Sequence, residues 1–220
     1  MNNSPSRRPA LHVTWLNPLY DFVLLCSGLG PSFKRKITGC ANLPEVPDGV
    51  ILDIGAGSGT HAHQLAASYP SMQIIALDPD ATIFTKKGDV KNISYQNKPG
   101  ETTDLPDASV DYIFSTLVFH HLTLAEKRRV LIEIERIIKP NGKFILTDWG
   151  RLTAPIFAYY LYVVENKHCI ESHFDGRTET LFHELGWHRV VHHRIKLSGI
   201  WFSKYLPPSR PKSNCQPDAQ

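Results

Sequence analysis

The stretch Val50-Ile51-Leu52-Asp53-Ile54-Gly55-Ala56-Gly57-Ser58-Gly59-Thr60 decides the fold. Val50 to Ile54 reads as a buried strand, and the glycines after it let the backbone turn sharply and let a ligand approach without interference from a Cβ. Such a turn at a strand end is a cofactor cradle. A pyrophosphate-binding turn spaces its last two glycines as G-x-x-G. Here they are Gly57-x-Gly59, and Thr60 stands in the place of the third glycine, which favours a cofactor without a phosphate bridge. Asp53, at the strand end, carries a charge suited to an α-amino group. The next apolar run ends Ile74-Ile75-Ala76-Leu77-Asp78, and an acidic residue about 20 positions beyond a glycine turn can accept both hydroxyls of a ribose. Two carboxylates suit a cationic adenosyl compound such as S-adenosylmethionine, charged at sulfur and at its amino group. The bland alternative is a tight turn with Asp78 merely opening another turn at Pro79. Strand, Asp53 and Asp78 in register outweigh it.

Working outward, short apolar runs alternate with helical patterns. Gln73 to Leu77, Ile93 to Gln96, Val110 to Phe114 and Lys143 to Thr147 read as further strands, and the alternation argues for parallel pairing through helical crossovers. The clearest helix runs from Leu124 to Ile138. Thr123 and Glu126 form a capping box, positions 130, 131, 134, 137 and 138 supply an apolar stripe, and Pro140-Asn141-Gly142 is the stop signal. Helical stretches from Pro155 to Asn166 and from Thr178 to Leu185 follow. Two last strands, Trp187 to Leu197 and Ile200 to Tyr205, are joined by the hairpin signal Ser198-Gly199. Ahead of the core, helices from about Leu16 to Ser27 and from about Ser32 to Cys40 are broken by Gly28-Leu29-Gly30-Pro31 and can cap the site. The expected organisation is a flexible start over 1–15, one α/β domain over 16–205 whose residues 16–42 form a helical lid, and a disordered tail over 206–220.

Further blocks resemble the class I S-adenosylmethionine methyltransferases, especially the small-molecule branch with the ubiquinone and menaquinone C-methyltransferases. Gly100-Glu101-Thr102-Thr103-Asp104-Leu105-Pro106 is similar to that family's Gly-Asp-Ala-x-x-Leu-Pro segment, Asp107 to Ser115 to its fourth strand, and Arg136 to Lys143 to the approach to its fifth. The resemblance implies a Rossmann-like seven-stranded sheet of order 3-2-1-4-5-7-6, strand seven antiparallel, with helices on both faces. It also implies that Glu101 accepts the adenine amino group and that Thr102 supplies the neighbouring backbone amide. The implied cofactor set is Asp53, Gly55, Ala56, Gly57, Gly59, Asp78, Pro79, Glu101, Thr102 and Ser115, with Tyr20 of the lid closing over the methionine end. The quinone enzymes show an Asn-Asp pair after that tyrosine, where this chain has Val23-Leu24-Leu25-Cys26, a departure that argues against a quinone acceptor.

Methyl transfer from a sulfonium is an in-line displacement, so the protein must hold donor and acceptor close, exclude water and remove a proton where the acceptor requires it. Open α/β sheets bind ligands beyond the carboxyl ends of their strands. That places Ser115 to His121 and Asp148-Trp149-Gly150-Arg151 at the reacting centre. His120 or His121 is the candidate general base and Asp148 its orienting or substrate-binding partner; against this stands a turn-capping role for one of the histidines. Phe119 and Trp149 are pocket walls or ordinary core. Eleven histidines invite a metal reading, but His61-x-His63 on a helix do not share a face. His188 and His192 share one on a strand, yet no carboxylate or cysteine completes a site. No metal is expected, and Lys127-Arg128-Arg129, like most helical charge runs, reads as a solvated face.

The remaining composition sets bounds. The chain has 220 residues, 42% hydrophobic, with 24 Lys and Arg against 21 Asp and Glu for a formal charge of +3, so net charge gives no bias toward nucleic acid. Four scattered cysteines form no Cys-x-x-Cys pair, which points to a reducing, cytoplasmic setting. The longest apolar run, Ile156 to Val164, falls short of the roughly 20 residues a bilayer span needs, while peripheral membrane contact stays open. The reading is therefore a cytoplasmic methyltransferase, monomer or homodimer, acting on O, N or C of a small aromatic or amphipathic metabolite. A non-catalytic cofactor-binding regulator or scaffold on the same fold is the alternative, and a nicotinamide oxidoreductase, disfavoured by the glycine spacing, the third.

Overall fold

The computed structural model describes residues 31–80, 82, 84, 90–150, 167–194 and 200–208. The expectations for the helices at 16–27 and 155–166, for Tyr20, for Ser198-Gly199, for the start at 1–15 and for the tail from 209 onward lie outside these residues. Helix α1 (Pro31–Ala41) precedes strand β1 (Val50–Ile54), helix α2 (Thr60–Ser68), β2 (Gln73–Asp78), β3 (Ile93–Asn97) and β4 (Val110–Thr116). Helix α3 (Leu124–Ile137), β5 (Ile138–Trp149), α4 (Lys167–Phe174), α5 (Arg177–Glu184), β6 (His188–Arg194) and β7 (Ile200–Leu206) complete the order. The sheet runs β3-β2-β1-β4-β5-β7-β6, with β1 to β5 parallel and β7 antiparallel to both its neighbours. This is the Rossmann-like arrangement that the family resemblance implies.

Period-two alternation along the strands divides the core into two layers. Ile51, Ile74, Phe114, Ile145 and Phe202 pack toward α1 and α2, whereas Leu52, Ile54, Ile113, Phe144 and Leu146 meet Val130, Leu131, Ile134 and Ile137 of α3 and Leu181 and Phe182 of α5. Phe119 is fully buried against Phe144 and Phe182, so it is core rather than pocket wall. Asp53 therefore projects with Ile51 toward the α1–α2 side, and Asp148 with Leu146 toward α3 and α5.

Two boundaries depart from the sequence reading. The capping box at Thr123 and Glu126 is present, but α3 passes directly into extended backbone at Ile138. Pro140-Asn141-Gly142 sits inside β5, looped out where the register slips between the pairs Val110–Ile138 and Tyr112–Lys143. The turn chemistry is real and serves a bulge instead of a helix stop. Helix α4 carries no clear periodicity in sequence and was not expected.

Candidate functional site at the carboxyl edge of the sheet

The chain leaving β1 stays tied to the end of β2, because the amides of Gly55 and Ala56 both donate to the Leu77 carbonyl, at 2.8 and 3.0 Å. Gly55, Gly57 and Gly59 all have positive φ. The first two need glycine for different reasons. A Cβ on Gly55 would lie 2.3 Å from Val118 Cγ2, so that glycine lets the loop after β4 pack on the turn; a Cβ on Gly57 would meet nothing within 4 Å. Gly57 thus faces open space, the cradle the spacing implied. Its amide donates to Asp78 Oδ2 at 3.0 Å, and the Asp80 amide donates to Asp78 Oδ1 at 3.0 Å. Burial raises the Asp78 carboxyl above the usual range, these two amides oppose it, and the charges of Asp80 and Asp53 push the same way as burial. A cation arriving between Asp53 and Asp78 relieves that repulsion. Asp53 is buried, with Oδ1 3.3 Å from His61 Nδ1, and among the described residues its Oδ2 has no hydrogen-bond partner.

Beside the cradle is a small recess walled by Leu77, Pro79, Gly100, Val118 and Val130, with Glu101 on its rim. The loop that brings Glu101 there is fastened by α3: Glu133 Oε1 accepts from the Thr103 amide at 3.0 Å and from its hydroxyl at 2.6 Å. The Arg136 guanidinium, with help from Thr103, holds the Glu133 carboxyl down at about 2. The Thr102 amide differs from expectation. It donates to the Pro99 carbonyl at 3.1 Å, closing the turn instead of standing open. Ser115 is buried at the end of β4, its hydroxyl unpartnered among the described residues.

Beyond β4 the backbone turns at Leu117, whose amide donates to the Thr147 carbonyl at 2.8 Å, and enters a single 3-10 turn over Phe119–His121. His120 and Asp148 are both buried and meet at 2.7 Å between Nδ1 and Oδ1. Asp148 also accepts from the His120 amide at 3.2 Å and from the Trp149 amide at 2.7 Å. A carboxylate accepts, so Nδ1–H of His120 donates to Asp148, the orientation that in a neutral ring leaves Nε2 as the base. His121 is half-buried, its ring 3.9 Å from that of His120. Behind Asp148 lies a group that the sequence reading placed in solvent. Lys127 is fully buried, and its Nζ donates to the Cys169 carbonyl at 3.2 Å and to the Ser172 hydroxyl. Burial pulls its ammonium down to about 8 against the attraction of Asp148. Only Arg128 and Arg129 of that run are exposed.

A second cavity, of about 370 Å³, shares Asp148 as a wall and continues past Trp149, Trp201, Tyr205, Arg189 and Glu179. His192, stacked on Trp201 at 4.4 Å, lies on this side through its pairing with Ser203. The expectation that His188 and His192 share a face is overturned, because a bulge between Arg189 and Val191 shifts the register and puts them on opposite faces. His61 and His63 also diverge, one to Asp53 and the other to the Tyr95 hydroxyl at 2.9 Å. Among the described residues no three His, Cys, Asp or Glu side chains group around a metal-sized space, and no helix is long and apolar enough to cross a membrane.

The sheet order and the glycine turn are accompanied by likeness to methyltransferases in sequence and in structure. The model of the methyltransferase domain family matches residues 52–146. The uncharacterized methyltransferase YcgJ of Bacillus subtilis is 33% identical over 104 residues, covering 44% of this chain and 40% of the relative. The ubiquinone/menaquinone biosynthesis C-methyltransferase UbiE of Geobacter sulfurreducens is 26% identical over 157 residues, 65% of this chain and 60% of that protein. A SAM dependent methyltransferase from Aquifex aeolicus superposes with a TM-score of 0.61 at 19% identity, over 79% of this chain and 88% of that one. The chain spans less than two thirds of the length of these two curated relatives. Residues 52–146 thus carry the match to the methyltransferase domain family, and the chain is similar to UbiE. The residues present fit S-adenosylmethionine: the orphaned Asp53 Oδ2 suits its ammonium, the open face of Gly57 leaves room for its chain, and Asp78 retains lone pairs for a ribose.

Proposed function

We propose that the protein is an S-adenosylmethionine-dependent methyltransferase that methylates O, N or C of a small aromatic or amphipathic molecule. The observation that carries this is the pairing of an open glycine cradle with two buried carboxylates, one holding an unserved oxygen. The cofactor, when bound, supplies a sulfonium methyl group. Asp53 and Asp78 fix its amino-acid and ribose ends, Glu101 its adenine, and Ser115 lines the floor. The acceptor occupies the cavity beside Asp148, whose 370 Å³ is in the range of small-molecule sites. Trp149, Trp201 and Tyr205 offer aromatic walls there, and Arg189 and Glu179 offer polar anchors. His120, held in one tautomer by Asp148, takes the proton that the acceptor loses; His121 packs on it and steadies the ring. The two curated relatives support methyl transfer, and UbiE raises a quinone acceptor, against which stands Val23-Leu24-Leu25-Cys26 in place of the quinone enzymes' Asn-Asp pair.

Calorimetric titration with S-adenosylhomocysteine tests the first step. The expected result is binding that Asp78→Ala weakens at least tenfold, the loss of two charge-assisted hydrogen bonds. No binding, or an Asp78→Ala variant equal to the parent, refutes the reading. Tight binding with no methylated product from fractionated extract, and an inert His120→Ala, would favour the non-catalytic alternative.

A further inference from the structure

His61 is a deeply buried titratable side chain that the cofactor scheme leaves unused. It stands on the first turn of α2, 1% exposed, and its ring meets Phe114 edge-on at 5.3 Å and 88°. Burying an imidazole costs free energy unless both nitrogens find partners, and both do. Nδ1 is 3.3 Å from Asp53 Oδ1, and Nε2 is 3.4 Å from the hydroxyl of Thr38 on α1. Thr38 is itself held by donation to the Lys34 carbonyl at 3.1 Å. The chain Lys34–Thr38–His61–Asp53 therefore runs from a helix outside the sheet to the carboxylate beside the cradle. Its last atom, Asp53 Oδ2, is buried with no partner among the described residues. A free carboxylate would rotate to share both oxygens with whatever donors surround it. With Oδ1 held by the ring, rotation is stopped and Oδ2 is presented.

We infer that His61 is a positioning residue for Asp53: by holding Oδ1 it aims Oδ2 at the ammonium of the cofactor's amino-acid end, and through Thr38 it makes α1 part of the cofactor site. This rests on the cofactor reading above. The consequence is ligand-specific, since only molecules that carry the amino-acid end should register the contact.

The test compares two ligands by calorimetry, S-adenosylhomocysteine and methylthioadenosine, which shares the adenosine and thioether but lacks the amino-acid end. His61→Phe keeps a ring against Phe114 and loses both nitrogens. It should weaken S-adenosylhomocysteine about tenfold or more, as expected for a lost hydrogen bond to a charged group, and leave methylthioadenosine within about twofold. His61→Asn, whose amide nitrogen falls near the place of Nδ1, should restore most of the loss. Should His61→Phe fail to fold, Thr38→Val carries the same comparison, with a selective loss of roughly threefold for a weakened hydrogen bond. Equal losses for both ligands, or no loss for either, overturn the proposal. Wild-type protein that binds neither ligand refutes the cofactor reading, and the proposal with it.

Discussion

Replacing Lys127 by Met removes a buried ammonium while keeping a side chain of similar length, and the structure sets the size and sign of the effect. In the unfolded chain the amine titrates near 10.5; in the fold, burial lowers it to about 8. Between these values the unfolded state binds more protons than the folded one, so stability rises with pH across that window. Below about pH 8 the full cost of keeping the ammonium buried is present. The whole shift corresponds to about 3 kcal/mol, of which about 2 kcal/mol falls between about pH 7 and about pH 9.5. The groups facing Lys127 are Asp148 on β5, Cys169 on α4, Arg177 on α5 and Asp175 just before it. All remain in the variant, as do the phenols Tyr69, Tyr112 and Tyr205, whose raised values act in the opposite sense at higher pH. Urea denaturation of both proteins at several pH values gives the comparison, provided the transitions are two-state. The wild-type midpoint should climb with pH over this range and that of Lys127→Met should stay flat. Parallel curves would show that the amine is not buried as described.

The glycine turn predicts a contrast: Gly55→Ala drives a Cβ into Val118 and should lower the melting temperature by several degrees, whereas Gly57→Val should fold, at about 1–2 kcal/mol for a left-handed side chain, yet lose S-adenosylhomocysteine binding in calorimetry. A Gly57→Val protein that binds normally would remove the cradle from the site. Glu133, whose carboxyl is held at about 2, contributes stability that is complete above its unfolded value near 4.5 and disappears as pH falls toward 2. Glu133→Gln should therefore show a shallower loss of thermal stability between about pH 5 and pH 3 than wild type, with an unchanged slope counting against the Thr103 anchor.

How much of this was legible follows from the range of each signal. The β1 strand, the glycine spacing, Asp78 and the capping box at Thr123 are local patterns, fixed by residues a few positions apart, and the sheet order followed from the resemblance they support. The pairing of His120 with Asp148 spans 28 residues, yet it could be anticipated because adjacent parallel strands end at the same edge. Lys127 could not. Its helix carries three consecutive cations, Lys127 to Arg129, and only the arrival of α4, a segment with little periodicity, gives the first of them buried partners. His61 was read as one of two helical histidines on different faces; that Asp53 and Thr38 would wait at its two nitrogens depends on how α1 packs on α2. The His188 and His192 reading failed at a bulge, and one inserted residue reverses the facing of every residue after it. The Thr102 amide was assigned by analogy and closes a turn with Pro99 instead.

Helix α3 joins two of these contacts in one rod. Lys127 grips α4 near its N-terminal end, and Glu133 grips the Gly100–Thr103 loop six residues later, about 9 Å along the axis. Because a helix is stiff over so short a span, a tilt or slide of α3 would be felt at both ends at once, in the roof beside Asp148 and in the rim that carries Glu101. A small molecule wedged against the outer face of this helix, near the exposed Ile132, would then act on the Asp148 side and the Glu101 rim together without touching either, as a lever acts on two loads through one shaft.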